Sequence, residues 1–346
     1  MKRTLLLLCV LLLFLNCGAY TISQYTKTFY DASRNRNIQT VIYYPVNASN
    51  PNESFPYAIF GHGWLVSYSY TQDLTNAWVG LGWIVALPTT EGSLFPSHQN
   101  FALDIAFLRG EVLAENSIPT SPLYNKLMPL AVASGYSMGG GSAVLAANSD
   151  SGFDGVIIFA AAETNPSAIS AASNVIVPSL TFSGSSDNIA PPSQHQIPIF
   201  NNLASDYKCY VSLNGATHTN LFSHNLVDDI LAPFLSYLKS GWQYHLQNLE
   251  TVLATNSASL TSQIVNNLIP QTPERIDITL SNDIVNISWD IVFLISGYRI
   301  YASANPFADF SDVTNEGSFT FGERVSWSSP STAFFRRFYY LTAYRN

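Results

Sequence analysis

The chain of 346 residues is 47% apolar, enough for a large core and against intrinsic disorder. Only 11% of its residues are charged, and 23 acidic against 15 basic side chains leave a formal charge of -8. That balance, with no basic patch beyond Arg336 and Arg337 in a strand-like run, excludes nucleic acid and anionic membranes as partners.

Lys2 and Arg3 precede an apolar run from Leu5 to Leu15, and Cys17, Gly18 and Ala19 follow as small residues for a signal peptidase. Residues 1–19 are therefore expected to be a signal peptide cut near Ala19, giving a secreted or periplasmic protein. The run is shorter than the roughly 20 residues that span a bilayer, so stable membrane insertion is not expected. A lipid anchor at Cys17 is the weaker alternative, because Asn16 stands where a small residue is wanted. Without Lys2 and Arg3, 13 basic and 23 acidic residues give the mature chain a formal charge of -10. Cys209 is then the single mature cysteine, so the fold has no intramolecular disulfide and depends on its core. Asn47, Asn52 and Asn286 are N-glycosylation sequons.

Beyond the leader, short apolar strands are predicted at Val41–Val46, Tyr57–Gly63 and Trp83–Thr89. A helix ending at Gly80 or Gly82 falls between the last two, and another covers Asn100–Asn116 with Phe101, Ile105, Leu108 and Val112 on one face. Leu130–Ser137 is a strand running into a small-residue helix, MGGGSAVLAANS. Further strands are predicted at Gly155–Ala161, Pro178–Gly184 and Lys208–Gly215. This alternation predicts an α/β domain over 20–249, with a mostly parallel sheet covered by helices on both faces. Helical signals run from Leu226 to about Leu249, and the polar, small-residue stretch 250–272 is expected to be a linker. Short β-type runs from Pro273 to Asn346 predict a separate small all-β sandwich.

Gly135-Tyr136-Ser137-Met138-Gly139 is a G-x-S-x-G sequence between a strand and a helix. In that context a sharp turn lifts the serine hydroxyl above the sheet edge, and the flanking glycines let strand and helix approach. A serine needs a base and the base an orienting acid, in the chain order Ser, acid, His. His218 lies in NGATHTN just past a strand, at the edge of the sheet where such sites assemble. His195, His224 and His245 fall instead in a turn or on helices. Asp187, in SGSSDNIAPP, also follows a strand; Glu163 is a weaker rival for the acid, and its chain position fits a pocket-wall residue better. Asp150, Asp154, Asp206, Asp228 and Asp229 are misplaced along the chain. An oxyanion hole needs two donors. The Met138 N–H is one; the loop Gly61-His62-Gly63-Trp64 offers the other, from Trp64 or, less favourably, Gly63. His62 precedes the triad and is read as structural.

GHGW, GYSMGGGSAVLAA, SGSSDNIAPP and NGATHTN, in this order between Tyr30 and Leu238, resemble the matching blocks of bacterial cutinase-like polyester hydrolases. The related dienelactone-hydrolase and platelet-activating-factor-acetylhydrolase-like proteins share that α/β-hydrolase architecture. The resemblance implies Ser137 as nucleophile, Asp187 as acid, His218 as base, and Met138 and Trp64 as oxyanion donors. It further implies a cleft walled by Trp64, Tyr136, Ile189 and Thr219. Glu163 stands near the place where those enzymes carry a tryptophan for aromatic substrates, and their C-terminal disulfide is absent. Small or aliphatic esters, monomeric or polymeric, are the substrates this implies. Longer acyl chains, amide bonds and a non-catalytic binding role are the alternatives. No metal or organic cofactor is called for.

The tail resembles a fibronectin type III-like module, with Trp289, Tyr298 and Ile300 at buried strand positions in ISWDIVFLISGYRIYAS. Such a module would serve as a spacer or as a surface for polymer contact.

Overall fold

The computed structural model describes residues 20–268, 273, 275–282, 284–292, 297–303, 311–321, 324–330 and 338–344. The expected leader, with Cys9, Cys17 and the cleavage point after Ala19, lies outside the described residues, as do Arg336 and Arg337. The chain divides into two compact units. One runs to Lys239 and resumes over Val252–Asn267; the other holds Ser240–Thr251 and the chain from Leu268 onward.

The first unit is built on a nine-stranded sheet of order β1-β2-β4-β3-β5-β6-β7-β8-β9. Its strands are β1 (Thr21–Asp31), β2 (Arg36–Val46), β3 (Phe55–Gly61), β4 (Ile84–Pro88), β5 (Leu127–Tyr136), β6 (Gly155–Phe159), β7 (Ser179–Gly184), β8 (Tyr207–Leu213) and β9 (Leu260–Asn266). The run from β4 through β8 is parallel, whereas β1, β2 and β9 are antiparallel to their neighbours. Strands β3, β4, β6, β7 and β8 are buried at every position, as a sheet covered on both faces requires.

Helices α1 (Gln72–Gly80), α2 (His98–Ala114), α3 (Met138–Ser149), α4 (Ala168–Ala171), α5 (Gln196–Asn202) and α6 (Leu226–Ser240) fill the crossovers and the stretch after β8. Phe101, Ile105, Leu108 and Val112 of α2 are buried in a core shared with Ala143, Val144 and Ala146 of α3. Ser97 caps α2, its hydroxyl accepting from the Asn100 N–H. None of the described helices is long and apolar enough to cross a membrane.

Three elements differ from the sequence reading. The whole of β1 was unanticipated. Apart from Phe29 and Asp31 its residues are exposed or half-buried, so an edge strand leaves little apolar signal. The helical run from Leu226 breaks at Gly241, whose φ of 73° lies in the left-handed region, and helix α7 (Tyr244–Thr255) follows. Stretch 250–272, expected to be a linker, instead contains the end of α7 and strand β9. That strand pairs residue for residue with β8, from Leu213↔Leu260 to Tyr207↔Asn266. Backbone pairing to an existing edge compensates for the missing apolar run.

The second unit carries two small antiparallel sheets. One orders β10 (Asp277–Ser281), β11 (Ile284–Trp289), β15 (Val325–Pro330) and β14 (Ser318–Phe321). The other orders β13 (Ser311–Asp312), β12 (Gly297–Ser303) and β16 (Phe338–Tyr344). They share one core, in which Trp289 and Trp327 of the first sheet pack with Tyr298 and Ile300 of the second. The rings of Trp289 and Tyr298 meet edge to face at 5.1 Å.

Candidate active site

The order of the sheet locates the site. From β3 the chain moves outward to β4, then returns to the opposite side of β3 to lay down β5. Connections leaving β3 and β5 therefore diverge, opening a crevice at the carboxyl ends of these two neighbours. Gly61–Trp64 leaves one strand there and Ser137 ends the other.

Ser137 has φ 54° and ψ -119°, a strained backbone for a residue with a Cβ, imposed by the turn from β5 into α3. Its N–H donates to the Phe159 carbonyl at 3.0 Å and its own carbonyl accepts from Ala162 N–H at 2.9 Å, so β6 holds the turn. The glycines are steric requirements. A Cβ on Gly135 would lie 2.4 Å from the Gly139 backbone, and one on Gly139 would lie 2.1 Å from the Gly61 oxygen. The Ser137 turn and the β3 loop are thus packed backbone on backbone.

His218 follows β8 and Asp187 follows β7; both are buried, at 5% and 3% exposure. Ser137 Oγ lies 2.9 Å from His218 Nε2, and His218 Nδ1 lies 2.6 Å from Asp187 Oδ2. An ionised carboxylate only accepts, so Nδ1 carries the proton, and in the neutral ring Nε2 is left to accept from the serine. The second oxygen, Oδ1, accepts from the Ile189 and Ala190 N–H groups at 2.9 and 2.8 Å. Asp187 is thereby fixed on both oxygens, an arrangement that asparagine could not reproduce.

Met138 opens α3, so its N–H belongs to the first helical turn, whose donors have no acceptor within the helix. Gly63 packs on the Ser137 turn: a Cβ there would meet the Tyr136 ring at 2.9 Å. Trp64 is 53% exposed, and its indole N–H donates to the Leu94 carbonyl at 3.2 Å. Buried His62 bonds only to loop backbone: its Nδ1 lies 2.8 Å from the Gly63 oxygen and its Nε2 2.8 Å from the Thr90 oxygen. It ties the β3 loop to the loop after β4.

Other residues marked from sequence fall around this centre. Ile189 is 67% exposed beside Asp187, and Thr219 is exposed beside His218. Tyr136 is buried, more a support of the cleft than its lining. Glu163 is half-buried after β6, and its Oε2 accepts from the Ile169 N–H at 2.9 Å. It caps α4, which leaves Asp187 as the carboxylate that meets His218.

Sequence reasoning missed what holds these loops. Half-buried His195 accepts the Glu163 N–H on Nδ1 at 2.9 Å, and His98 accepts the Asn165 N–H at 3.0 Å. Burial lowers the pKa of both imidazoles, in keeping with rings that act as neutral acceptors. Fully buried Gln196 donates to the Ala161 and Ala190 carbonyls, bridging the loops after β6 and β7. Tyr70, in a 3-10 turn at Tyr68–Thr71, donates to the Thr219 carbonyl at 2.7 Å. No local pattern marks these side chains, since each partner lies far along the chain or in irregular backbone.

A comparison with curated proteins finds no match. A family model described as PET hydrolase-like matches residues 20–259, which take in the parallel sheet, the Ser137 turn and the loops bearing Asp187 and His218. The fold and that match together show that the chain belongs to the PET hydrolase-like family of α/β-hydrolases, and so to the ester hydrolases.

Proposed function

We propose that the protein is a secreted carboxylic-ester hydrolase that works through a Ser137–His218–Asp187 triad and an acyl-enzyme, on small or aliphatic esters and polyesters. His218 removes the Ser137 proton as the oxygen attacks the ester carbonyl. Asp187 stabilises the imidazolium formed, and the Met138 and Trp64 N–H groups receive the oxyanion. The imidazolium protonates the leaving alcohol; His218 then activates water, which releases the acid and restores the serine. The observation that carries this reading is the continuous chain of hydrogen bonds from Ser137 Oγ through His218 to Asp187 Oδ2 at the crevice between β3 and β5.

The substrate class rests on the surroundings. Trp64, Leu94, Phe95 and Ile189 are all more than half exposed and neutral, which suits an uncharged, apolar ester chain. Export rests on the Lys2–Ala19 pattern, and sequencing the N-terminus of secreted material tests it by whether the mature chain starts near Tyr20. The second unit, with strands 10-11-15-14 facing 13-12-16 across one core, supports a fibronectin type III-like spacer or polymer-contacting module.

Hydrolysis of short- and long-chain p-nitrophenyl esters, and of an aliphatic polyester film, by wild type and Ser137→Ala tests the activity. The wild type should cleave short esters and the film, and the variant should lose at least about 10³-fold in kcat. Equal rates for the two proteins refute the triad; a preference for long chains favours a lipase.

A further inference from the structure

His218 sits in an irregular loop after β8, and two phenols from elsewhere in the fold grip that loop by its backbone. Buried Tyr136, the last residue of β5, donates its hydroxyl to the His218 carbonyl at 2.9 Å. Its ring lies 5.0 Å from the imidazole. Tyr70 donates to the next carbonyl, that of Thr219, at 2.7 Å and stacks on Tyr136 with ring centroids 5.6 Å apart. Phe222 closes the group, edge-on to Tyr136 at 4.9 Å.

The two tyrosines come from different parts of the machinery. Tyr136 precedes the nucleophile, and Tyr70 belongs to the β3–α1 connection that also presents Gly63 and Trp64. Successive peptide carbonyls of the base loop are therefore referenced to the nucleophile turn and to the oxyanion loop. We propose that Tyr136 and Tyr70 are positioning residues that set the register of His218 against Ser137, a role that rests on the triad reading above. Burial, then neighbouring Tyr70, raises the Tyr136 pKa, so the phenol stays a donor throughout the working range. A small displacement of the base costs rate without changing the surface that meets the ester.

The test compares full-length wild type, Tyr136→Phe, Tyr70→Phe and the double variant, each of which keeps its rings and loses only hydroxyls. Two readouts are taken well below the melting temperature: kcat and KM on p-nitrophenyl butyrate, and the downfield proton resonance of His218 Nδ1–H, identified by its loss in His218→Ala. Each single variant should lose roughly 5- to 10-fold in kcat with KM within about twofold. The resonance should broaden through faster solvent exchange, most in the double variant. Unchanged kcat and unchanged resonance in the double variant overturn the proposal, even with a lowered Tm, because the phenols would then be structural only. Should Tyr136→Phe fail to fold, exposed Tyr70→Phe carries the same two outcomes alone. If Ser137→Ala proves as active as wild type, the esterase reading falls, while the resonance still decides whether the tyrosines hold His218.

Discussion

Asp187 and His218 meet at 2.6 Å through Oδ2 and Nδ1, while Oδ1 is held by two backbone N–H groups. Asp187→Asn can keep the Oδ1 contacts only by turning its NH₂ group toward the histidine. The imidazole must then accept on Nδ1 and carry its proton on Nε2, facing a serine it can no longer deprotonate. The expected loss in kcat is roughly 10³- to 10⁴-fold, with a stable fold. Ser137→Ala combined with Asp187→Asn should be no worse than Ser137→Ala alone, because the residues act as one unit. Steady-state kinetics on p-nitrophenyl butyrate decide both points, and a tenfold loss or less in Asp187→Asn would contradict the geometry.

Gly139 is a second sensitive point. Its missing side chain leaves room for the Gly61 and His62 carbonyls, which an added Cβ would approach to 2.1 and 2.5 Å. Gly139→Ala has to push α3 from the β3 loop, and both partners are backbone. A cost of about 1–3 kcal/mol or more is expected, and the separated oxyanion donors should lower kcat at least tenfold. Calorimetry beside kinetics checks this; a variant with wild-type Tm and rate would mean that the close approach is relaxed in solution.

Asp104 on α2 is fully buried and draws together three elements. It accepts from Arg36 Nε and Nη2 at 2.8 and 2.7 Å, pairs with Arg34 Nη1 at 2.8 Å, and accepts from the Thr90 hydroxyl at 2.6 Å. Removing a buried partner strands charges that were desolvated on folding, so Asp104→Ala should cost about 3–5 kcal/mol. For a unit of this size that corresponds to a fall in Tm of roughly 10 °C. Thermal unfolding followed by circular dichroism measures it, and a change under about 2 °C would show that the network contributes little.

The histidines that accept backbone N–H groups predict a pH dependence of stability. His98 and His195 have folded-state pKa values lowered from the ordinary 6.5, chiefly by burial, with the nearby carboxylates of Glu91 for His98 and of Asp187 and Glu163 for His195 opposing the shift. Above the unfolded value both states are neutral and the stability is complete. As pH falls below it, the unfolded chain takes up protons first, and stability is lost until the lowered folded values are passed. Replacing both by Gln retains an acceptor without a titration. The decline of Tm below about pH 6.5 should be shallower in the double variant than in wild type; parallel curves would exclude these residues as its source.

Legibility followed local chemistry. Central strands such as YAIFGHG and GVIIFAA announce themselves because burial on both faces demands uninterrupted apolar residues. Strands β1 and β9 do not, since only one side of each is paired and most of their residues are exposed or half-buried. Their place is set by the edge they pair with. The G-x-S-x-G turn was readable because glycine and a strained serine are local requirements, and Asp187 and His218 because each follows an apolar strand. What the chain order does not show for Glu163 is that its carboxylate caps α4 through Ile169, a contact that depends on how the loop after β6 folds back.

Residue order along the chain is enough to mark the alternation, the G-x-S-x-G turn and the order Ser137, Asp187, His218, because each arises from backbone preference or burial within a few neighbours. The distances inside the site belong to another level. Tyr136 reaches the His218 carbonyl across 82 residues and Tyr70 reaches that of Thr219 across 149. Hydrogen bonds of a few ångströms between such remote groups exist only once the whole sheet has assembled, and no periodicity in a linear chain encodes them.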